Sequence, residues 1–512
     1  MGWVRPVAAL ATALAMSSTA TAAPVRAGAG LLDSIRDGDL IVYKGVPFAA
    51  PPVGDLRWRA PQPVKPWSGV READAFGPAC MQPPGGGTGG APVSEDCLYL
   101  NVWRPAKASG PLPIMLFVHG GGVTSGTGAV PLLWGDNLAR KGVIAVTINY
   151  RLGPLGWLAL PELSRESGKG SGDYGLMDVI AALKWVKANA RALGGDPGRI
   201  TLFGESSGSE IVSLLLVSPQ AKGLFSRAIG DSNGLFAPYY RPQNVVPLSE
   251  AETFGAGWAK ALGTTDPAAL RKLPADAILK PQGQWWPVVD GDVVTEAPYE
   301  AFAAGHQADI PTLVGNNADE AVFFLGPNPP IKAADWAKQL PPTPEANALY
   351  PFQTDREAYW SRVQFLTDVA NNWHIWTWAR LQSRTGHAPI HMLRLEQPWP
   401  MADAEKRKLM GTPHVAELFY VLQHFDPNDK SMAWTDEDRR LGETMSSYWT
   451  NFAKTGDPNG PGLPNWPAFR EDKQVLLRLK ATPELGTPDL EHMRFIDAWM
   501  AEARRPGFKP PS

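Results

Sequence analysis

The strongest constraint in this 512-residue sequence is an alternation of short apolar runs and amphipathic segments in its middle. Residues 114–118, 143–148 and 200–203 are largely apolar runs of the kind that buried strands of parallel sheets show. Residues 174–192, between the second and third runs, carry apolar side chains at helical spacing and predict a helix. Residues 207–217, after the third run, predict a second helix. This order predicts a mostly parallel sheet with helices on both faces.

The rest of the chain is predicted to decorate this one sheet. Residues 312–315 and 391–395 are the best candidates for later strands, and a tryptophan-rich helical region separates them. Neither an internal repeat nor a linker divides the sequence, so we expect a single domain over residues 23–512. The net charge of −3 argues against a nucleic-acid partner.

The N-terminus has the pattern of an export signal. Arg5 precedes a short apolar stretch over residues 7–16, and Ala20-Thr21-Ala22 offers a small-x-small cleavage site. A membrane anchor is the alternative, but the stretch is shorter than the ~20 residues that span a bilayer. We therefore predict a cleaved signal peptide over residues 1–22, no membrane span, and a secreted or periplasmic protein.

The chain has two cysteines, Cys80 and Cys97. In an exported protein two cysteines close in sequence are most simply explained by a disulfide, and two free buried thiols are the alternative. Neither cysteine has the setting of a nucleophile or a metal ligand, and we expect no metal or organic cofactor.

Gly204-Glu205-Ser206-Ser207-Gly208 stands between a predicted strand and a predicted helix, as the nucleophile elbow of a serine hydrolase does. Glycines two residues before and after Ser206 leave room for neighbouring backbone at a tight turn. The helix that follows adds positive potential and free amides. Ser207 and Ser209 have the wrong spacing to the glycines. We predict that Ser206 is the nucleophile.

The segment His119-Gly120-Gly121-Gly122 directly follows the strand predicted over residues 114–118. Acyl transfer requires amides that already point at the developing oxyanion, and a glycine run lets bare backbone approach it. We expect the amides of Gly121, Gly122 and Ser207 to do this. An ordinary glycine loop or a phosphate-binding loop is the alternative, and the second is disfavoured because no Gly-Lys-Ser/Thr follows.

A serine nucleophile needs a base, which is nearly always histidine. Of the eight histidines, His414 lies late in the chain, in a predicted loop just before a helix, where this architecture supplies its base. The acid should follow a strand between Ser206 and His414. Asp319 and Glu320 both fit, and these residues alone do not choose between them.

At this point the sequence resembles the type-B carboxylesterase family, which includes cholinesterase-like enzymes. The resemblance covers nearly the whole mature chain and rests on the segments 43–49, 51–58, 94–102, 149–153, 194–197, 203–208 and 449–456. It implies an α/β-hydrolase fold, that is, a central mostly parallel sheet with helices on both faces and large loop and helix insertions.

The resemblance also implies roles for individual residues. It implies a triad of Ser206, His414 and Glu320, and it favours Glu320 over Asp319. It further implies the three oxyanion donors, a Cys80–Cys97 disulfide, an ion pair of Glu95 with Arg151, and a carboxylate, Glu205, beside the nucleophile. The chain departs from the usual family residues at Val123, Ser207, Ala321 and Val415, and these departures concern the pocket walls.

The sequence therefore predicts hydrolysis of a small-molecule carboxylic ester through an acyl-serine intermediate. An amidase or lactone hydrolase with the same triad is one alternative, and a catalytically silent cholinesterase-like binding protein is another. Five tryptophans are candidates for an aromatic pocket, although such residues more often belong to the core: Trp285, Trp286, Trp373, Trp376 and Trp378. The sequence carries no signal for an oligomeric state.

Overall fold

A computed structural model describes residues 23–85, 87–239, 241, 244–326, 331–505 and 508. The predicted signal peptide, residues 1–22, lies outside the described residues. Among the described residues, no helix is both long enough and apolar enough to cross a membrane.

An 11-stranded sheet forms the centre of the molecule. Its strands in chain order are β1 (Ile35–Asp37), β2 (Leu40–Pro47), β3 (Tyr99–Pro105), β4 (Leu112–Val118), β5 (Ile144–Ile148), β6 (Gly195–Glu205), β7 (Arg227–Asp231), β8 (Thr312–Asn317), β9 (Ile390–Leu395), β10 (Leu476–Leu479) and β11 (Glu484–Gly486). Their spatial order is β11-β10-β9-β8-β7-β6-β4-β5-β3-β2-β1. Strands β4 to β10 run parallel, and the strands at both edges are antiparallel.

Helices of nine or more residues are α1 (Tyr174–Asn189), α2 (Ser207–Leu215), α3 (Leu248–Ala261), α4 (Asp355–Thr367), α5 (Trp373–Thr385), α6 (Asp436–Thr455) and α7 (Leu490–Ala503). Shorter helices are Asp136–Arg140, Gly153–Trp157, Pro161–Ser167, Pro267–Leu270, Ala275–Ile278, Pro298–Ala304, Val322–Leu325, Ala333–Ala337, Pro344–Leu349, Ala404–Met410 and Ala416–Val421. A π-helical turn, Asp368–Asn372, joins α4 to α5. In the small sheets, Gly30–Leu32 pairs with both Val25–Ala27 and Val70–Arg71, Ala79–Cys80 pairs with Val93–Ser94, and Val246–Pro247 pairs with Val288–Val289.

Alternate residues of the central strands enter two separate cores. Ile114, Leu116 and Val118 of β4 pack into a cluster with apolar residues of α1, α2 and α5. Met115 and Phe117 face the opposite side, where they pack with residues of α6 and of the helix Ala416–Val421. Because helices cover both faces of the sheet, central strands such as β4 and β5 are almost wholly apolar, as the sequence predicted.

The predicted α/β arrangement is confirmed, but the strand bounds differ: β4, β6, β8 and β9 are longer than predicted, whereas β5 begins at Ile144, one residue after the predicted start. Strand β6 begins at Gly195 rather than residue 200, with an irregular register before Ile200. Strand β7 was not predicted, because its five residues include Arg227, Gly230 and Asp231 and show no apolar run.

The predicted ion pair of Glu95 with Arg151 is wrong. Glu95 binds the guanidinium of Arg57 through both oxygens, at 2.6 and 2.7 Å. Arg151 binds Asp178 of α1 in the same two-point manner, with both contacts at 2.8 Å. Arg57 and Arg151 therefore each bind a different carboxylate through two nitrogen atoms, and no Glu95–Arg151 pair forms.

Cys80 and Cys97 form a disulfide, as predicted, with an S–S distance of 2.07 Å. Both residues are buried against Leu98 and Leu100 in the larger core. The bond closes a surface loop whose tip, with Gly85 and Gly87, borders the cavity described below.

Candidate active site

Ser206 stands at the carboxyl end of β6 and immediately before α2. Its φ of 57° lies in the left-handed region, which a non-glycine residue adopts only where its surroundings enforce it. A Cβ atom on Gly204 would lie 2.5 Å from the backbone of Gly208, and one on Gly208 would collide with the carbonyl oxygen of Val118. The turn thus requires both glycines of the Gly-x-Ser-x-Gly motif.

His414 lies in the loop before the helix Ala416–Val421 and is paired with Glu320, which follows β8. Nδ1 of His414 is 2.6 Å from Oε2 of Glu320, and the other oxygen of Glu320 accepts the amide of Asn317 at 2.7 Å. Asp319 does not contact the imidazole, since its carboxylate accepts the amide of Thr412 at 2.9 Å. The structure thus pairs His414 with Glu320 rather than with Asp319.

Several buried carboxylates surround this imidazole. Oε1 of Glu205 is 3.0 Å from Nε2 of His414. Glu417, three residues after His414, accepts hydrogen bonds from Asn317 and Ser232. Burial alone would lower the pKa of His414, but Glu205 and Glu320 outweigh it and raise that pKa. Burial in turn raises the pKa of Glu205 to about 8 and that of Glu417 to about 7.

The glycine run lies beside Ser206 at the same edge of the sheet. Gly121 and Gly122 have φ values of 106° and 61°, which turn their backbone away from the direction of β4. A Cβ on Gly120 would lie 2.9 Å from the Cβ of Ser206, so only bare backbone fits here. Among the residues that the structure describes, no group accepts a hydrogen bond from the amides of Gly121, Gly122 or Ser207.

Side chains hold both ends of this run. The hydroxyl of Tyr150 donates to the carbonyl of His119 at 2.9 Å, and the two rings stack with centroids 4.5 Å apart. The amide of Val123 donates to the hydroxyl of Ser207 at 3.2 Å. The glycine run is therefore connected directly to the turn that carries Ser206.

Ser206, His414 and the glycine run border one cavity of about 690 Å³. Apolar side chains supply much of its wall, including Phe117, Leu133, Trp286, Phe323, Phe324 and Leu418. Phe323 and Phe324 are 51% and 68% exposed, although their ring centroids lie within 5.7 Å of that of His414. Such a cavity suits an organic ester of moderate size.

Of the five candidate tryptophans, four lie in the core and one lines the cavity, and three of the other histidines are buried. Trp285, Trp373, Trp376 and Trp378 are buried in the core, whereas half-buried Trp286 lines the cavity. His119, His374 and His391 are buried, and burial lowers their pKa values to between about 3 and 4. Among the described residues, no cluster of three or more His, Cys, Asp or Glu could hold a metal ion.

Sequence reasoning missed two polar residues of the cavity, Glu210 and Asn233. Glu210 follows Ser206 by four residues on α2, so helical spacing places it on the same side of the helix. That spacing was the available signal. Asn233 follows β7, a strand that the sequence did not reveal.

A model of the carboxylesterase family matches residues 29–340 and 345–496. This chain belongs to that family. It is 38% identical over 466 residues to the fumonisin B1 esterase of Sphingopyxis macrogoltabida, over 86% of this chain and 83% of the relative. It is 34% identical to the para-nitrobenzyl esterase of Bacillus subtilis (strain 168), over 85% of this chain and 90% of that esterase.

Solved structures of carboxylesterases have the same fold. A thermophilic PNB esterase superposes with a TM-score of 0.81 at 32% identity, over 92% of this chain and 99% of the esterase. A second PNB esterase gives a TM-score of 0.80 with the same identity and coverage. The predicted α/β-hydrolase fold and membership of the carboxylesterase family are confirmed, and the protein is an ester hydrolase by class.

Proposed function

We propose that this carboxylesterase cleaves small-molecule esters through an acyl-serine intermediate, with Ser206 as nucleophile, His414 as base and Glu320 as its acid partner. The observation that carries the proposal is the shared cavity. A strained serine, a histidine hydrogen-bonded to a buried glutamate, and three amides without an acceptor among the described residues all meet there. The relatives named as esterases support an ester as the substrate class.

The reaction proceeds in two displacements. His414 takes the proton of Ser206 as the serine oxygen attacks the ester carbonyl, and the amides of Gly121, Gly122 and Ser207 receive the oxyanion. His414 then protonates the departing alcohol oxygen as its bond to the acyl carbon breaks. Water attacks the acyl-serine by the same route and releases the carboxylic acid.

Glu320 and Glu205 support the proton transfer. Glu320 orients the imidazole through Nδ1 at 2.6 Å, and both carboxylates stabilise the imidazolium that forms when Ser206 loses its proton. Because these charges raise the pKa of His414, the imidazole is a stronger base than an isolated histidine.

The test is Ser206→Ala with an activated ester such as para-nitrophenyl acetate. We expect kcat to fall by about 10⁴-fold or more, since the covalent route is lost. Thermal unfolding should stay close to that of the parent protein, because the substitution removes one partly buried hydroxyl. A variant that retains full activity would exclude Ser206 as the nucleophile.

We also propose that the protein is exported and that residues 1–22 are removed. The disulfide supports an oxidising compartment, and the N-terminal pattern supports a signal peptide.

A further inference from the structure

Glu210 is a buried carboxylate of the cavity that the proposed ester chemistry does not use. It lies one helical turn after Ser206 on α2 and is only 4% exposed. The same cavity is bordered by Ser206 and His414. A group bound at Glu210 would therefore be part of the molecule that carries the reacting ester.

One oxygen of Glu210 is held and the other is free. Oε1 accepts a hydrogen bond from Nδ2 of Asn233 at 2.6 Å. The orientation of that amide is set by its own oxygen, which accepts the amide of Gly234 at 2.7 Å. Oε2 has no hydrogen-bond partner within the described part of the chain. Because Glu210 borders the cavity, a ligand bound there can donate to this oxygen, and hydrogen bonds to charged groups are among the stronger ones in proteins.

The charges around the cavity favour a cation. None of the described residues that line it is Lys or Arg. Glu205, the other carboxylate in the wall, already has Nε2 of His414 at 3.0 Å. Burial raises the pKa of Glu210 to about 7, and a bound ammonium would keep this carboxylate ionised. An anionic group would instead be repelled by an ionised Glu210 in a largely apolar wall.

We propose that Oε2 of Glu210 binds a protonated primary amine of the substrate, so that this carboxylesterase prefers amine-bearing esters to their neutral isosteres. The inference rests on the proposed function, because it places the amine beside the reacting ester. The amine donates to Oε2, Asn233 holds Oε1, and the aromatic and aliphatic wall contacts the carbon frame of the ester.

The test compares isosteric ester pairs that differ only in this charge. 4-(Aminomethyl)benzyl acetate and 4-ethylbenzyl acetate place it on the alcohol side, and phenyl 4-(aminomethyl)benzoate and phenyl 4-ethylbenzoate place it on the acyl side. At mildly alkaline pH we expect kcat/KM of the ammonium ester to exceed that of its neutral partner by about tenfold or more in one pair. Equal or lower rates for the ammonium ester in both pairs would overturn the inference.

Glu210→Gln tests the residue itself, because it keeps the shape and an acceptor for Asn233 while removing the charge. The ammonium-to-neutral ratio should fall to about one. Glu417→Gln is the matched control. It removes another buried carboxylate near His414 whose oxygens already have protein donors, so that ratio should persist. A ratio that survives Glu210→Gln, or is lost equally in both variants, would contradict the assignment.

A binding measurement separates this inference from the proposed chemistry. Calorimetric titration of the Ser206→Ala protein with benzylamine should show binding at least tenfold tighter than in the Ser206→Ala, Glu210→Gln double variant, a ratio of about the size that one paired charge supplies. Full ester hydrolysis by Ser206→Ala would contradict the nucleophile assignment alone. Equal benzylamine affinity in the two proteins would contradict the amine site alone.

Discussion

At the scale of single residues, the side chain of Ser207 has a role that its backbone does not reveal. The family usually has alanine here, and the proposed oxyanion donor is only the Ser207 amide. In this protein the hydroxyl also accepts the amide of Val123, at the end of the glycine run. It therefore links the two segments that must hold the oxyanion donors beside Ser206.

We expect Ser207→Ala to lower kcat by about fivefold with little change in KM, because one hydrogen bond of about 1 kcal/mol no longer positions the donors. Steady-state kinetics with an activated ester would measure this. Ser209→Ala is the matched control. It removes a buried hydroxyl of the same helix that donates to the carbonyl of Asn233 at 2.6 Å and does not touch the glycine run. A similar loss of kcat in both variants would show a general effect on the helix.

Two further residues near the site adopt a backbone conformation that favours glycine. Val123 and Val415 have φ values of 53° and 66°, and β-branched side chains rarely adopt such values. Val123 is held by hydrogen bonds of its amide to Ser207 and of its carbonyl to the amide of Gly153 at 2.8 Å. Val415 directly follows His414. The fold thus maintains backbone strain next to both the glycine run and the proposed base.

At the scale of secondary-structure elements, a pair of buried carboxyls, Asp173 and Asp290, lies just before α1, and no described Lys or Arg forms an ion pair with either. Asp173 and Asp290 are both buried and interact electrostatically, and each has one buried oxygen without a hydrogen-bond partner among the described residues. The remaining oxygens accept backbone amides, from Val288 at 3.0 Å and from residues 292–294. Burial, followed by the charge of Asp290, raises the pKa of Asp173 well above its ordinary value.

We expect Asp173→Asn to stabilise the protein by about 1–2 kcal/mol at alkaline pH, because it removes a buried charge that lacks a partner. A carboxyl whose pKa is higher in the folded state stabilises most below its unfolded pKa. This contribution is lost as the pH rises through the folded pKa. The advantage of Asp173→Asn should therefore increase with pH, which denaturant unfolding at several pH values would reveal.

Asp178→Asn is the comparison for this prediction. It changes a buried aspartate within α1 that pairs with Arg151, so it should destabilise the protein across the pH range. An Asp173→Asn variant that loses stability in the same way would contradict the view that the buried charge of Asp173 lacks a stabilising partner.

At the scale of the whole molecule, export and the disulfide make a joint prediction. We expect the protein secreted or exported by a bacterial host to begin at Ala23 and to carry the Cys80–Cys97 bond. Intact-mass measurement before and after reduction would show the truncated chain and the gain of two hydrogen atoms. An unprocessed chain, or two alkylatable thiols in the native protein, would contradict the prediction. The 17-residue separation suggests that the bond stabilises the fold by about 3 kcal/mol.

Much of the fold and part of the site followed from the sequence, because short-range physics controls them. The apolar runs at 114–118 and 200–203 indicate strands that are buried on both faces of the sheet. The tight turn was predictable from Gly204, Ser206 and Gly208, because its steric constraints come largely from backbone only a few residues away. For the same reason the glycine run could be expected beside the oxyanion. The roles of these residues in catalysis remain predictions.

Long-range packing alone decided the rest. Adjacent carboxyls Asp319 and Glu320 are equivalent by local chemistry, and only the folded loop directs Glu320 to His414 and Asp319 to the amide of Thr412. Arg151 binds Asp178 instead of Glu95, because α1 brings that carboxylate to it. Glu210 follows Ser206 by four residues, a spacing that occurs in every helix and does not by itself indicate a binding role. Only the packing after β7 brings Asn233 to one oxygen of Glu210 and leaves the other, at the cavity, without a donor among the described residues.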